Sequence, residues 1–123
     1  LIMASIIEKE TSIDEEKPII SGVFINRINK NMRLQADPTV IYGIKNFQGN
    51  ITKKDLQTVN EYNTYKIDGL PRTPICSPGE SSIKAASKPE KNNYLYFVAD
   101  DKGNHIFSEN YKNHLKAVNK YQK

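Results

Sequence analysis

Apolar positions at the start of the chain recur at helical spacing. Ile2, Met3, Ile6 and Ile7 lie three and four residues apart, with Glu10 following on the same stripe, which predicts an amphipathic helix over 1–10. Ser12 and Asp14 read as caps of a second helix. Glu15 and Glu16 suit its positive end, and Pro18 suits its first turn. Ile19, Ile20, Val23, Phe24 and Ile28 then form an apolar stripe that stops near 29–31. Two such stripes predict a helical hairpin packed face to face.

The pattern then breaks. "MRLQADPTVIYG" reads as a loop and a short helix starting at Asp37 and Pro38, with Val40, Ile41 and Ile44 toward the core. In "ITKKDL", Thr52 caps another brief turn. "YNTYKIDGLPRTPICSPGESS" holds three prolines and two glycines in 21 residues. It also carries Tyr62, Tyr65, Ile67, Leu70 and Ile75, which predicts a long ordered loop packed on the body and lining a site. "SSIKAAS" reads as a short helix. "NYLYFVAD" reads as a strand, "DDKGN" as a turn and "HIFS" as the partner strand. "ENYKNHLKAVNKYQ" closes as a helix bearing Tyr111, Leu115 and Val118. The expected class is α+β, without internal repeats or low-complexity segments.

With 123 residues, the chain is expected to form one domain over 1–123 around one core. No apolar run approaches the ~18 residues of a membrane span. Leu1 falls inside an apolar periodic segment without an initiator Met, so the chain is expected to begin partway through a longer polypeptide. Cys76 is alone, which excludes an internal disulfide and a multi-thiolate metal site, and its neighbours Pro74 and Pro78 suggest a packed loop thiol. The net charge is +4, and Lys112, Lys116, Lys120 and Lys123 form a stripe that is either a solvated helix face or a surface for an acidic polymer. No basic groove is interleaved with aromatics, so a nucleic-acid partner is not expected.

Catalytic chemistry narrows to the first helix. Glu8 and Glu10 are separated by roughly 200° of helical turn and cannot share a face. Glu10 lies one turn beyond Ile6 and Ile7, where lost hydration raises a carboxyl pKa toward the protonated state that a general acid needs. The alternative is that Glu10 ends the helix and hydrogen-bonds a neighbouring loop. His105 and His114 lack ligand spacing and read as structural, so no metal is expected. Neither a nucleophile elbow nor a phosphate-cradling glycine loop is present, and no cofactor is expected.

Several words occur in fixed order: "ASIIEKET", "GVFINRI", "MRLQADPTVIYG", "YNTY", "GLP", "PG" and "YLYFVAD". Over nearly its whole length the chain resembles the catalytic domain of the YceG-like (MltG) endolytic murein transglycosylases. The resemblance implies an enzyme that cuts peptidoglycan glycan strands internally, between N-acetylmuramic acid and N-acetylglucosamine, without water. Such a cut leaves anhydromuramic ends and terminates or processes nascent strands. It also implies an upstream membrane helix and a LysM-like region. The domain would then work on the outer, periplasmic face of the cytoplasmic membrane, with glycan strands and peptidoglycan synthases as partners.

By the same resemblance the catalytic acid is Glu10, and Glu8 is a surface or supporting residue. The implied substrate-binding set is Thr11, Arg33, Gln35, Asp37, Thr39, Tyr62, Asn63 and Tyr65. Gln35, Thr39 and Asn63 would hydrogen-bond N-acetyl groups or hydroxyls. Tyr62 and Tyr65 would stack on sugars, hold Glu10, or simply pack. Arg33 would meet the stem peptide or lactyl group, or pair with Asp37, and Asp37 has helix capping as its alternative. The lysozyme-like lytic transglycosylases offer a looser analogy, with a catalytic Glu-Ser, a Gln-ending word and a Tyr-Asn in the order of Glu10-Thr11, Gln35 and Tyr62-Asn63. The chain departs from the family at Arg72, where a second Pro usually follows "GLP", and at Cys76, where a small residue is common. A lysozyme-type muramidase and a non-catalytic peptidoglycan-binding module stay open as alternatives.

Overall fold

The structure, a computed structural model, describes residues 1–45, 47 and 49–121. Among them, α1 (Ile2–Glu10) leads through a 3₁₀ turn (Asp14–Glu16) into α2 (Lys17–Asn29). Short helices α3 (Asp37–Tyr42) and α4 (Lys53–Gln57) follow, and α5 (Glu80–Ser87) comes after the long loop. A two-stranded antiparallel sheet, β1 (Tyr96–Ala99) and β2 (His105–Ser108), precedes α6 (Tyr111–Tyr121). The class is α+β, as the periodicities predict. No helix among the described residues is long and apolar enough to cross a membrane. Gln122 and Lys123, assigned above to the last helix and the lysine stripe, lie outside the described residues.

The two N-terminal stripes do meet. Ile6, Ile7, Ile20, Val23 and Phe24 are at most 1% exposed, and removing that much apolar surface from water is the main driving force for the hairpin. A third helix joins them: Ala85 of α5 and Ile75 of the long loop enter the same cluster, with Leu34 and Ala36 from the loop before α3. The loop is tied to α1 by the Ile75 amide donating to Ser5 Oγ at 3.0 Å and by the Cys76 thiol donating to Ser5 O at 3.3 Å. Pro71 is fully buried, whereas Leu70 is 39% exposed and Arg72 forks onto Glu61 at the surface. Gly22 lets the chain cross α2 closely, since a Cβ there would lie 2.3 Å from Glu90 O.

Several local expectations are corrected. Ser12 and Asp14 do not cap α2. The 3₁₀ turn intervenes, Glu16 takes the N-cap position without a side-chain cap, and Asp14 turns outward to Ser81 and Lys17. Pro18 does sit in the first turn of α2. Asp37 is the first residue of α3 and not its cap, that position being held by Ala36. Thr52 does cap α4, in a reciprocal box with Asp55.

β1 begins only at Tyr96, because α2 engages the preceding carbonyls. Asn26 Nδ2 donates to Asn92 O and Tyr94 O, and Arg27 Nε donates to Leu95 O. The register runs from Tyr96 opposite Ser108 to Ala99 opposite His105. Asp100 Oδ1 accepts from the amides of Lys102 and Asn104, and Gly103 at φ +85° closes that turn in the left-handed region. On α6, Tyr111 is 59% and Leu115 42% exposed and Val118 is half-buried, while Ala117 faces inward and His114 stacks on Tyr96. Lys112, Lys116 and Lys120 are exposed.

Candidate active site

An open cavity of about 520 Å³ is lined by the end of α1, α2, the segment 34–41, Tyr65, the β-hairpin and α6. Phe24 of α2 packs edge-on against Phe97 of β1 at 5.8 Å, which fixes the hairpin against the helices behind the cavity.

Glu10 stands at the last turn of α1, where Thr11 turns extended and ends the helix. Its carboxyl pKa is raised to about 8, first because surrounding protein displaces its hydration and then by the negative charge of Asp37. No hydrogen bond or ion pair among the described residues holds that carboxyl. Glu8, on the opposite face, accepts from the Gly79 amide and Ser82 Oγ, each at 2.8 Å, with Lys17 Nζ at 3.9 Å. The hydrogen bonds from Gly79 and Ser82 hold the Glu8 carboxyl below its ordinary pKa. Glu8 is therefore more than a surface residue, since it secures the start of α5 to α1.

Asp37 accepts the Tyr65 hydroxyl at 2.6 Å. Burial and then that bond raise the Tyr65 pKa well above the phenol range, so Tyr65 remains a donor. Gln35 lines the cavity with its backbone at φ +52°, a conformation that costs a non-glycine residue about 1 kcal/mol. Its amide donates to Thr64 O at 3.2 Å, which holds the strained backbone in place.

The other expected substrate residues build walls. Thr39 is fully buried, donates to Ala36 O at 2.7 Å and meets Thr64 Oγ1 at 2.8 Å, fastening α3 to the long loop. Asn63, also fully buried, donates from Nδ2 to the carbonyls of Asp55, Leu56 and Thr58 and accepts the Tyr65 amide. Tyr62 hydrogen-bonds Thr73 Oγ1 and packs edge-on against Tyr42. Thr11 donates to Glu16 Oε1 and accepts the Ile13 amide. Arg33 pairs with Asp68, not Asp37, and donates to Tyr65 O. Of the expected set, Glu10, Gln35, Asp37 and Tyr65 line the cavity.

The structure adds Lys9, Arg27, Tyr96, His105 and His114 to the lining. Arg27 is 7% exposed, bonds Leu95 O at 2.7 Å and Arg33 O at 2.6 Å, and lies 5.0 Å over the Tyr96 ring. Burial lowers its pKa, and no carboxylate among the described residues lies within ion-pair distance. A signal existed for Arg27, which follows Val23 and Phe24 on the apolar stripe of α2 much as Glu10 follows Ile6 and Ile7 on α1. The His114 Nδ1 is buried without a partner among the described residues. No group of three or more His, Cys, Asp or Glu among the described residues is arranged to hold a metal ion.

This chemistry comes down to one half-buried, protonatable carboxyl facing an open groove between aromatic and polar walls. The sequence model of the YceG-like family matches residues 1–120. An endolytic murein transglycosylase of Bacillus subtilis is 44% identical over 121 residues, covering 98% of this chain and 34% of that protein. One of Streptococcus pneumoniae is 34% identical over 124 residues, covering 96% and 22%. The chain thus spans about a third of the first of these relatives and less of the second. A crystal structure of a yceG-like protein from Listeria monocytogenes superposes with a TM-score of 0.85 at 47% identity, covering 94% of this chain and 37% of that one.

Proposed function

We propose that this chain, which belongs to the YceG-like family, is the catalytic domain of a longer endolytic murein transglycosylase acting at the outer face of the cytoplasmic membrane. The observation that carries the reading is Glu10, a carboxyl with a pKa of about 8 lining a cavity large enough for sugar units. Near neutrality it is protonated and donates to the glycosidic oxygen between N-acetylmuramic acid and N-acetylglucosamine as that bond breaks. The resulting carboxylate then takes the proton of the muramic acid C6 hydroxyl as that oxygen bonds to C1. Protons balance, water is not consumed, and the product is an anhydromuramic end. Because the substrate supplies the nucleophile, one carboxyl suffices.

Asp37 favours a second reading, a lysozyme-type hydrolase, because it lines the same cavity. Its bond from Tyr65 weighs against this, since one of its oxygens already accepts a hydroxyl at 2.6 Å. Mass spectrometry of murein digests separates the two. Anhydro ends that disappear with Glu10→Gln support the lyase, and reducing muramic ends overturn it. Release of no fragments by the parent overturns both.

A further inference from the structure

We infer that His105 is a glycan-binding residue that offers Nε2 to the cavity as a hydrogen-bond acceptor, held in that tautomer by Glu16 and Thr11. The inference rests on the reading of the cavity as a glycan site and names a contact within it.

Glu16 belongs to the 3₁₀ turn before α2, yet its carboxylate reaches across to β2. Oε2 accepts the His105 backbone amide at 2.8 Å, and Oε1 lies 2.7 Å from His105 Nδ1 and accepts Thr11 Oγ1 at 3.1 Å. Both side chains are nearly enclosed, at 11% and 10% exposure. Three donors converging on one acceptor-only group place the imidazole hydrogen on Nδ1. With Nδ1 engaged by Glu16, the other ring nitrogen, Nε2, has no protein partner among the described residues. The ring lines the cavity that Glu10 also lines, and Phe97 and Phe107 pack beside it and hold its plane. An apolar residue would close this wall equally well. A ring oriented by a buried carboxylate, with its far nitrogen left free, is instead suited to accept from a donor in the groove. The donors that a glycan strand presents are hydroxyls and acetamido N–H groups. Glu16 and Thr11 are positioning residues.

The test uses the full protein with Glu10→Gln, which separates binding from cleavage, and peptide-free glycan strands as the probe. Nitrogen NMR of labelled histidine is expected to show His105 with an unprotonated Nε2 whose resonance moves on addition of strands. An unmoved resonance at saturation overturns the inference. His105→Asn retains a donor near the Nδ1 position for Glu16 and deletes Nε2. It is expected to keep the fold and weaken strand binding roughly tenfold. Glu16→Gln is expected to shift the ring proton toward Nε2 in the same spectra and to weaken binding similarly. Unchanged affinity in His105→Asn overturns the inference while cleavage to anhydro ends by the Glu10 parent upholds the proposed function. Failure of the parent to cleave murein speaks against the proposed function alone.

Discussion

The two faces of α1 treat the same side chain in opposite ways. Toward α5, Glu8 receives a backbone amide and a serine hydroxyl, and those bonds favour its charged form. Toward the cavity, Glu10 meets burial and the charge of Asp37, and both favour the neutral form. The two glutamates are two residues apart on one helix. What they become is set by what the rest of the chain brings to each face, since carboxyl pKa follows desolvation, hydrogen-bond donors and neighbouring charge.

The largest expected effect breaks the contrast at the cavity. Glu10→Gln should lower murein cleavage by about 10²–10⁴-fold, the usual worth of a general acid, as read from soluble fragment release. Comparable activity would remove Glu10 from the reaction.

Stability against pH comes next, and the two faces should give opposite slopes. Glu10 has its folded pKa raised from 4.5 to about 8, so the folded state holds the proton longer than the unfolded one. Stability should therefore fall as pH rises from about 5 to 8, by roughly 2–4 kcal/mol, and Glu10→Gln should remove that slope in denaturant titrations. Glu8 has its folded pKa lowered, so its contribution is present above the ordinary carboxyl range and is lost as pH falls through the folded value.

Glu8→Ala tests the other face directly. Loss of the bonds to Gly79 and Ser82 should cost about 1–2 kcal/mol in chemical denaturation and leave the pH profile of cleavage in place. A collapse of catalysis at unchanged stability would reverse the roles assigned to the pair.

The smallest effect sharpens the cavity side. Cleavage should decline above about pH 8 as Glu10 ionises. Asp37→Asn removes the lesser of the two causes that raise its pKa, so that limb should move to lower pH by about one unit or less. A move to higher pH would contradict the electrostatic coupling.

Much of this was legible in the chain. The periods of α1 and α2 place Ile6, Ile7, Ile20, Val23 and Phe24 in the core, and the strand and turn words place the hairpin. Glu10 stands out because a carboxylate interrupts an apolar stripe. Less legible was the division of the motif residues. Thr39 and Asn63 look like sugar-binding polar groups, but both are fully buried and saturated by backbone partners, a role that the letters alone do not distinguish. On α6 the polar His114 stacks on Tyr96, while Tyr111, which touches the same ring, and Leu115 stay largely exposed.

Local order thus determined the helices, the hairpin and the side of α1 on which Glu10 projects, because periodicity is a property of a single element. Tertiary structure alone decided that Asp37 and Tyr65 stand together, that Glu8 secures α5, and that Arg27, His105 and His114 share the cavity with Glu10. Those residues lie far apart along the chain, and their charges and donors act only over the few ångströms to which packing brings them.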